Sequence, residues 1–75
     1  MNDTLLDIIE HVTGVRPALS DRLFGGTLPL DSFDFAEVVI MMDKATGLDP
    51  FKDSIPPLAT VADLARCYDD SNSRT

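Results

Sequence analysis

Apolar residues recur at three- and four-residue steps in three separate stretches, and nowhere do they alternate as in a strand, so the chain is constrained to helices. The first stretch runs from about Thr4 to Gly14. Leu5, Ile8, Ile9, Val12 and Val15 make one apolar stripe. Thr4 with Asp7 three residues later has the form of a capping box, Asp standing in for the usual Glu. Gly14 and Pro17 mark its end. The second stretch runs from Ser32 to Ala45. Asp31 is its expected N-cap, its carboxylate accepting a first-turn N–H, with Asp34 at N3 and Gly47 as the stop. The third starts at Thr60, whose hydroxyl caps it with Asp63 at N3. Val61, Leu64, Ala65 and Tyr68 follow as a core stripe. Residues 69–75 read as a frayed polar tail.

The connections carry as much information as the helices. Residues 16–31 are too long for an ordinary link in a bundle, and such loops are functional or disordered. Leu19, Leu23, Phe24, Leu28 and Leu30 make this one too apolar for disorder. It is expected to fold back onto the core and deliver Ser32 to the surface. The second connection, residues 48–59, closes on Pro56-Pro57 and has room for a short helical turn from Phe51 to Ile55. The second helix is apolar on more than one side, through Phe33, Phe35, Val38, Val39, Met41 and Met42. It therefore belongs at the centre, with Ala36 and Ile40 as the exposed remainder. The expected fold is all-α: a small four-helix bundle, three helices long and one short, in a single domain spanning residues 1–75.

Size and charge limit the function. Seventy-five residues bury only about 60% of their unfolded surface, which leaves a thin core and no deep catalytic cleft. Thirteen acids against six bases give a net charge of −7, and the bases are scattered singly. Nucleic acid needs clustered Lys and Arg, so it is not an expected partner. Acidity of this kind serves solubility, or an acidic face that steers basic proteins. One cysteine, Cys67, excludes a disulfide framework within the chain and points to a reducing compartment. Asn2 and Asp3 do not form the basic start of a signal peptide. The longest apolar run, Val38 to Met42, is far short of a membrane span. A soluble cytoplasmic monomer is the expectation.

Few residues here can carry chemistry. Ser32 lies where a Gly/Pro-punctuated loop becomes a helix, flanked by Asp31 and Asp34. A hydrolytic serine would need a placed base. His11, the only histidine, sits on the first helix beside Glu10, and Gly-x-Ser-x-Gly is absent. Cys67 has no Cys or His at ligand spacing, and Asp31, Asp34 and Glu37 do not follow a calcium loop, so no metal site is expected. Ser32 is thus either a helix starter or a hydroxyl that another enzyme modifies.

The segments Asp21-Arg22-Leu23-Phe24 and Leu28-Pro29-Leu30-Asp31-Ser32-Phe33, with Glu37 beyond, resemble the phosphopantetheine attachment region of acyl carrier proteins. Thr60-Val61-Ala62-Asp63-Leu64 is similar to the start of that family's last helix. Order, acidity and near-full coverage of the chain agree. The resemblance implies 4′-phosphopantetheine, covalently attached from coenzyme A at Ser32 by a phosphopantetheinyl transferase. It makes Asp31 the residue beside the attachment point. It also implies a partner-docking face from Phe33, Asp34, Ala36, Glu37, Ile40 and Asp43, read by an acyltransferase, a ketosynthase or an acyl- or aminoacyl-loading ligase. The chain would then be a carrier and not itself an enzyme, with an interior around Val12, Val39, Leu64 and Tyr68 to receive cargo. Phe33 stands where the family usually has Leu, Pro29 where it has Gly, the approach loop is one residue longer, and Lys44-Ala45 dilute the late acidic run. These departures point toward polyketide or other specialised biosynthesis rather than housekeeping fatty-acid synthesis. A peptidyl carrier and an unmodified interaction-only bundle remain open as alternatives.

Overall fold

Two of the three helices in the computed structural model end where a local hydrogen-bonding device stops them. The structure describes residues 2–52 and 54–73, with side chains to Asp70. The helices are α1 (Asn2–Thr13), α2 (Ser32–Thr46) and α3 (Val61–Ser73). Among the described residues there is no strand, only an isolated antiparallel bridge between Arg22 and Thr60.

α1 and α2 terminate in the same way. The hydroxyls of Thr13 and Thr46 donate to the carbonyls of Ile9 and Met42 at 2.8 and 2.7 Å. Each oxygen also accepts an N–H from two residues on, Val15 and Leu48 respectively. The following glycines, Gly14 and Gly47, take φ of 80° and 72°, a left-handed turn that costs glycine no Cβ clash. The expected stop at Gly47 is therefore observed, together with the expected Asp31 cap.

α1 starts earlier than the sequence pattern indicates. Because the helix begins at Asn2, Thr4 lies inside it and caps nothing, so the capping box with Asp7 does not form. Asp7 is engaged differently: the Arg16 guanidinium donates to both Asp7 and Glu10, folding the start of the loop back along the helix. α3 runs on to Ser73, past the expected frayed tail at 69–73, while 74 and 75 lie outside the described residues. Among the described residues there is no fourth helix. Pro50 and Phe51 make a turn and residues 54–59 have no regular structure; Asp53, within the expected short helix, lies outside the described residues. Pro56 and Pro57 lack the N–H groups a helical turn would need.

The core collects three residues from each of four places and one more from α3. Leu5, Ile8 and Ile9 come from α1; Phe35, Val38 and Met42 from α2; Val61, Leu64, Ala65 and Tyr68 from α3. Leu23, Leu28 and Leu30 come from the loop, which folds back as its composition demands. Val15, by contrast, drops out of the α1 stripe and is exposed. α1 and α2 pack directly on one another. Four aromatic rings bind the remaining pieces. Phe24 meets Phe35 at 5.4 Å, Phe35 meets Phe51 at 6.3 Å, and Phe51 meets Tyr68 edge-on at 6.0 Å between centroids. This relay gives the irregular second connection a firm hold on the core, since such pairs contribute beyond their buried area.

Candidate functional site

Ser32 is the first residue of α2 and is exposed. The helix starts there because Asp31 is extended (φ −106°, ψ −174°) and its carboxylate accepts the Asp34 N–H at 2.8 Å. The Asp31 carbonyl accepts from Phe35 at 2.9 Å, the first bond of the helix proper. Among the described residues the N–H groups of Ser32 and Phe33 have no acceptor. The result is an exposed hydroxyl beside two free N–H groups at the positive end of a 15-residue helix, where a negative charge is stabilised.

The exposed strip of α2 continues from this point. Phe33, Ala36, Glu37 and Ile40 follow at helical spacing; Phe33 is 87% exposed and Ile40 54% exposed. Ala36 and Glu37 are exposed as well, and Asp34 is half-buried. Ala36 and Ile40 are thus exposed, as their positions on the helix lead one to expect. Asp43 does not join them. It is half-buried, and its carboxylate accepts the Tyr68 hydroxyl at 2.8 Å, joining α2 to α3. Burial and this bond to Asp43 push the Tyr68 phenol well above its ordinary pKa, so it stays a neutral donor.

Ala36 and Ile40 also form one wall of an open apolar cleft of about 300 Å³. Phe35 and Val39 complete the α2 side, and Asp49, Phe51 and Ile55 come from the second connection. The sequence reading did not place those last three residues at any site. The signal available was Phe51 and Ile55, two large apolar residues in a stretch otherwise rich in Pro and Asp. The interior expected around Val12, Val39, Leu64 and Tyr68 is arranged differently: Leu64 and Tyr68 are sealed in the core, and Val39 lines the cleft.

The other residues considered for chemistry are unremarkable. His11 is exposed. Cys67 is half-buried, and burial together with Asp70 and Asp63 raises its thiol pKa, which disfavours the reactive thiolate. Among the described residues no cluster of His, Cys, Asp and Glu is arranged to hold a metal, and no helix is long and apolar enough to cross a membrane. Comparison with protein-family models, with curated proteins and with solved structures returned no match.

Proposed function

We propose that this chain is an acyl carrier protein, with 4′-phosphopantetheine attached through a phosphodiester to Ser32. The observation that carries the reading is the state of the α2 N-terminus: an exposed serine hydroxyl next to unoccupied N–H groups, behind a cap that leaves them free. Those residues fit the group. A phosphodiester needs an accessible oxygen to form and profits from a helix N-terminus once formed. When bound, the group supplies a terminal thiol that holds acyl cargo as a thioester; the chain supplies placement and recognition.

In this reading Asp31 fixes the first turn, so that Ser32 Oγ stands clear of the fold. Phe33, Ala36, Glu37 and Ile40 form the surface on which the phosphopantetheinyl transferase and later an acyltransferase, a ketosynthase or a loading ligase settle. An apolar patch with one carboxylate suits partners that present an apolar contact flanked by Lys or Arg. The departures from the family pattern around Ser32 favour polyketide or other specialised biosynthesis. The four-helix acyl-carrier arrangement belongs to this proposal too, with the Pro50–Phe51 turn and its neighbours occupying the place of the short helix.

The test is intact-protein mass after incubation with coenzyme A, magnesium and a broad-specificity phosphopantetheinyl transferase, beside Ser32→Ala. One added phosphopantetheine on the parent and none on the variant is the expected outcome. No addition to the folded parent, including with the transferase native to its host, overturns the carrier reading and leaves an interaction-only bundle.

A further inference from the structure

Among the described residues, one ridge of α2 is left open to solvent along its whole length. Phe33, Glu37, Ile40 and Lys44 follow at steps of four, three and four residues. At about 100° per residue they lie within an arc of roughly 60°. That spacing is the seam of a two-helix coiled coil. All four are exposed, Phe33 at 87% and Ile40 at 54%. Glu37 and Lys44 are two turns apart, too far to meet one another. Among the described residues neither pairs with an opposite charge elsewhere in the chain. The neighbouring acids are placed otherwise: Asp34 lies about 100° around the helix from Phe33, and Asp43 is engaged with Tyr68.

We propose that this ridge pairs with the same ridge of a second copy, α2 against α2, antiparallel about a two-fold axis between Glu37 and Ile40. In that register the Ile40 side chains of the two copies meet at the centre. Phe33 of each copy lies under the alkyl stem of the other's Lys44, which buries apolar stem while its ammonium stays in water. That ammonium is then one turn from Glu37 of the helix it faces. Symmetry makes the contacts of Lys44 with Phe33 and Glu37 occur twice. Charge selects a copy of this chain as the occupant. The ridge is neutral as a whole, with its acid toward the N-terminus and its base toward the C-terminus. An antiparallel copy meets each charge with its opposite, whereas a purely basic surface would set like charge against Lys44. The acids on the rest of each copy are screened beyond about 8 Å at physiological salt.

The contact is one helix pair about 17 Å long, at the small end of specific interfaces, so association is weak, with a Kd on the order of 0.1–1 mM. Dilution opens the ridge again, and the monomer expected from the sequence is the dilute form of the same equilibrium. The pairing does not rest on modification of Ser32, which lies just beyond the overlap. It does cover Phe33, Glu37 and Ile40, so self-association and docking of an enzyme on this strip exclude one another.

The experiment is sedimentation equilibrium of the full, unmodified chain at physiological salt, from about 20 µM to about 2 mM, a range that brackets that Kd. Amide chemical shifts are followed over the same dilution series. The parent should pass from monomer to dimer, with the shifts concentrated at 33–44 and the amides of 61–68 unmoved. Glu37→Lys is the diagnostic variant. It raises the net charge by two, from −7 to −5, and so lowers general repulsion, yet it sets two pairs of like charges across the axis. Association should weaken roughly tenfold. Adding Lys44→Glu to it restores the parent's net charge with the signs exchanged and should recover part of the loss. All of these side chains are exposed, so the variants keep the fold. A parent that stays monomeric to about 2 mM overturns the dimer and leaves the ridge to a different protein. Tighter association of Glu37→Lys, a double variant no better than the single one, or shifts centred away from α2 overturn this pairing as well.

Discussion

The N-termini of α2 and α3 start from nearly the same local sequence logic and end in opposite states. Both have an oxygen-bearing N-cap and an Asp at N3. At α3 every donor of the first turn is claimed: Val61 and Ala62 by loop carbonyls, Asp63 by the Thr60 hydroxyl, and the N–H groups of Ala59 and Thr60 by the Asp63 carboxylate. At α2 the cap serves Asp34 and stops, leaving Ser32 and Phe33 with free N–H groups and exposed side chains. The difference lies in what passes overhead. Residues 19–23 run antiparallel across the start of α3, and among the described residues no backbone does so at α2. A terminus that is finished stabilises the fold, and one that is left open can be used by something else.

The largest expected effects test the contrast directly. On the proposed function, Ser32→Ala should abolish attachment in the mass assay and leave stability within the small range expected of exposed sites, about 0.5 kcal/mol. Loss of stability along with modification would show that Ser32 belongs to the fold. Leu23→Ala, which empties a buried position directly beneath the α3 clamp, should cost about 2–5 kcal/mol in denaturant unfolding. In a chain this short that is most of the available stability. The mirror change at the open terminus, Phe33→Ala, should be nearly silent in the same measurement. A large cost there would mean that Phe33 is bound down in solution.

Cap removal sharpens the contrast further. Asp31→Ala should destabilise by about 1 kcal/mol, as for a typical N-cap. Thr60→Ala should cost less, because its hydroxyl bond is long at 3.3 Å and Asp63 and the loop hold the rest of the turn. The reverse order would mean that the loop clamp contributes little. Acid titration distinguishes the termini in another way. The backbone N–H groups of Ala59 and then Thr60 hold the Asp63 carboxyl below the usual carboxylate range. Its folded pKa is lower than its unfolded one, so its contribution is full above the unfolded value, near 3.9. That contribution fades as pH falls through the folded value. Asp63→Asn should therefore flatten the acid limb of the stability curve; an unchanged limb would mean the carboxylate is not held there in solution. The smallest effect is kinetic. On the proposed function, Glu37→Lys should slow association with a basic partner at low salt and weaken its salt dependence, with stability unaltered; unchanged rates at low salt would remove Glu37 from the proposed docking face.

The elements legible in the sequence were those set by local chemistry. The stripe of Val61, Leu64, Ala65 and Tyr68 is buried throughout, and Asp31, Gly47, Thr60 and Asp63 cap as their positions demand. The fold-back of the first loop followed from leucines that have nowhere else to go. What could not be read were the long-range pairings. The match of Thr4 to Asp7 looked like a capping box, yet α1 begins at Asn2, which places Thr4 inside the helix, and Asp7 pairs with Arg16 instead. Asp43 shows no local sign of its attachment to Tyr68, 25 residues away. Phe51 gave no periodic signal at all, although it is the third ring of the relay. Position on a surface is fixed by what packs opposite, and a single sequence displays that only where one helix faces one core.

The two fixed ends of α2 make it a rigid gauge. Between the Asp31 cap and the Gly47 reversal lie 15 helical residues, a span of about 22 Å at 1.5 Å per residue. Any protein that grips Ser32 and also senses Lys44, twelve residues on, must reach over roughly 18 Å of helix. A compactly folded short peptide is smaller than that distance, so one molecule touching both ends of α2 would have to be extended or domain-sized.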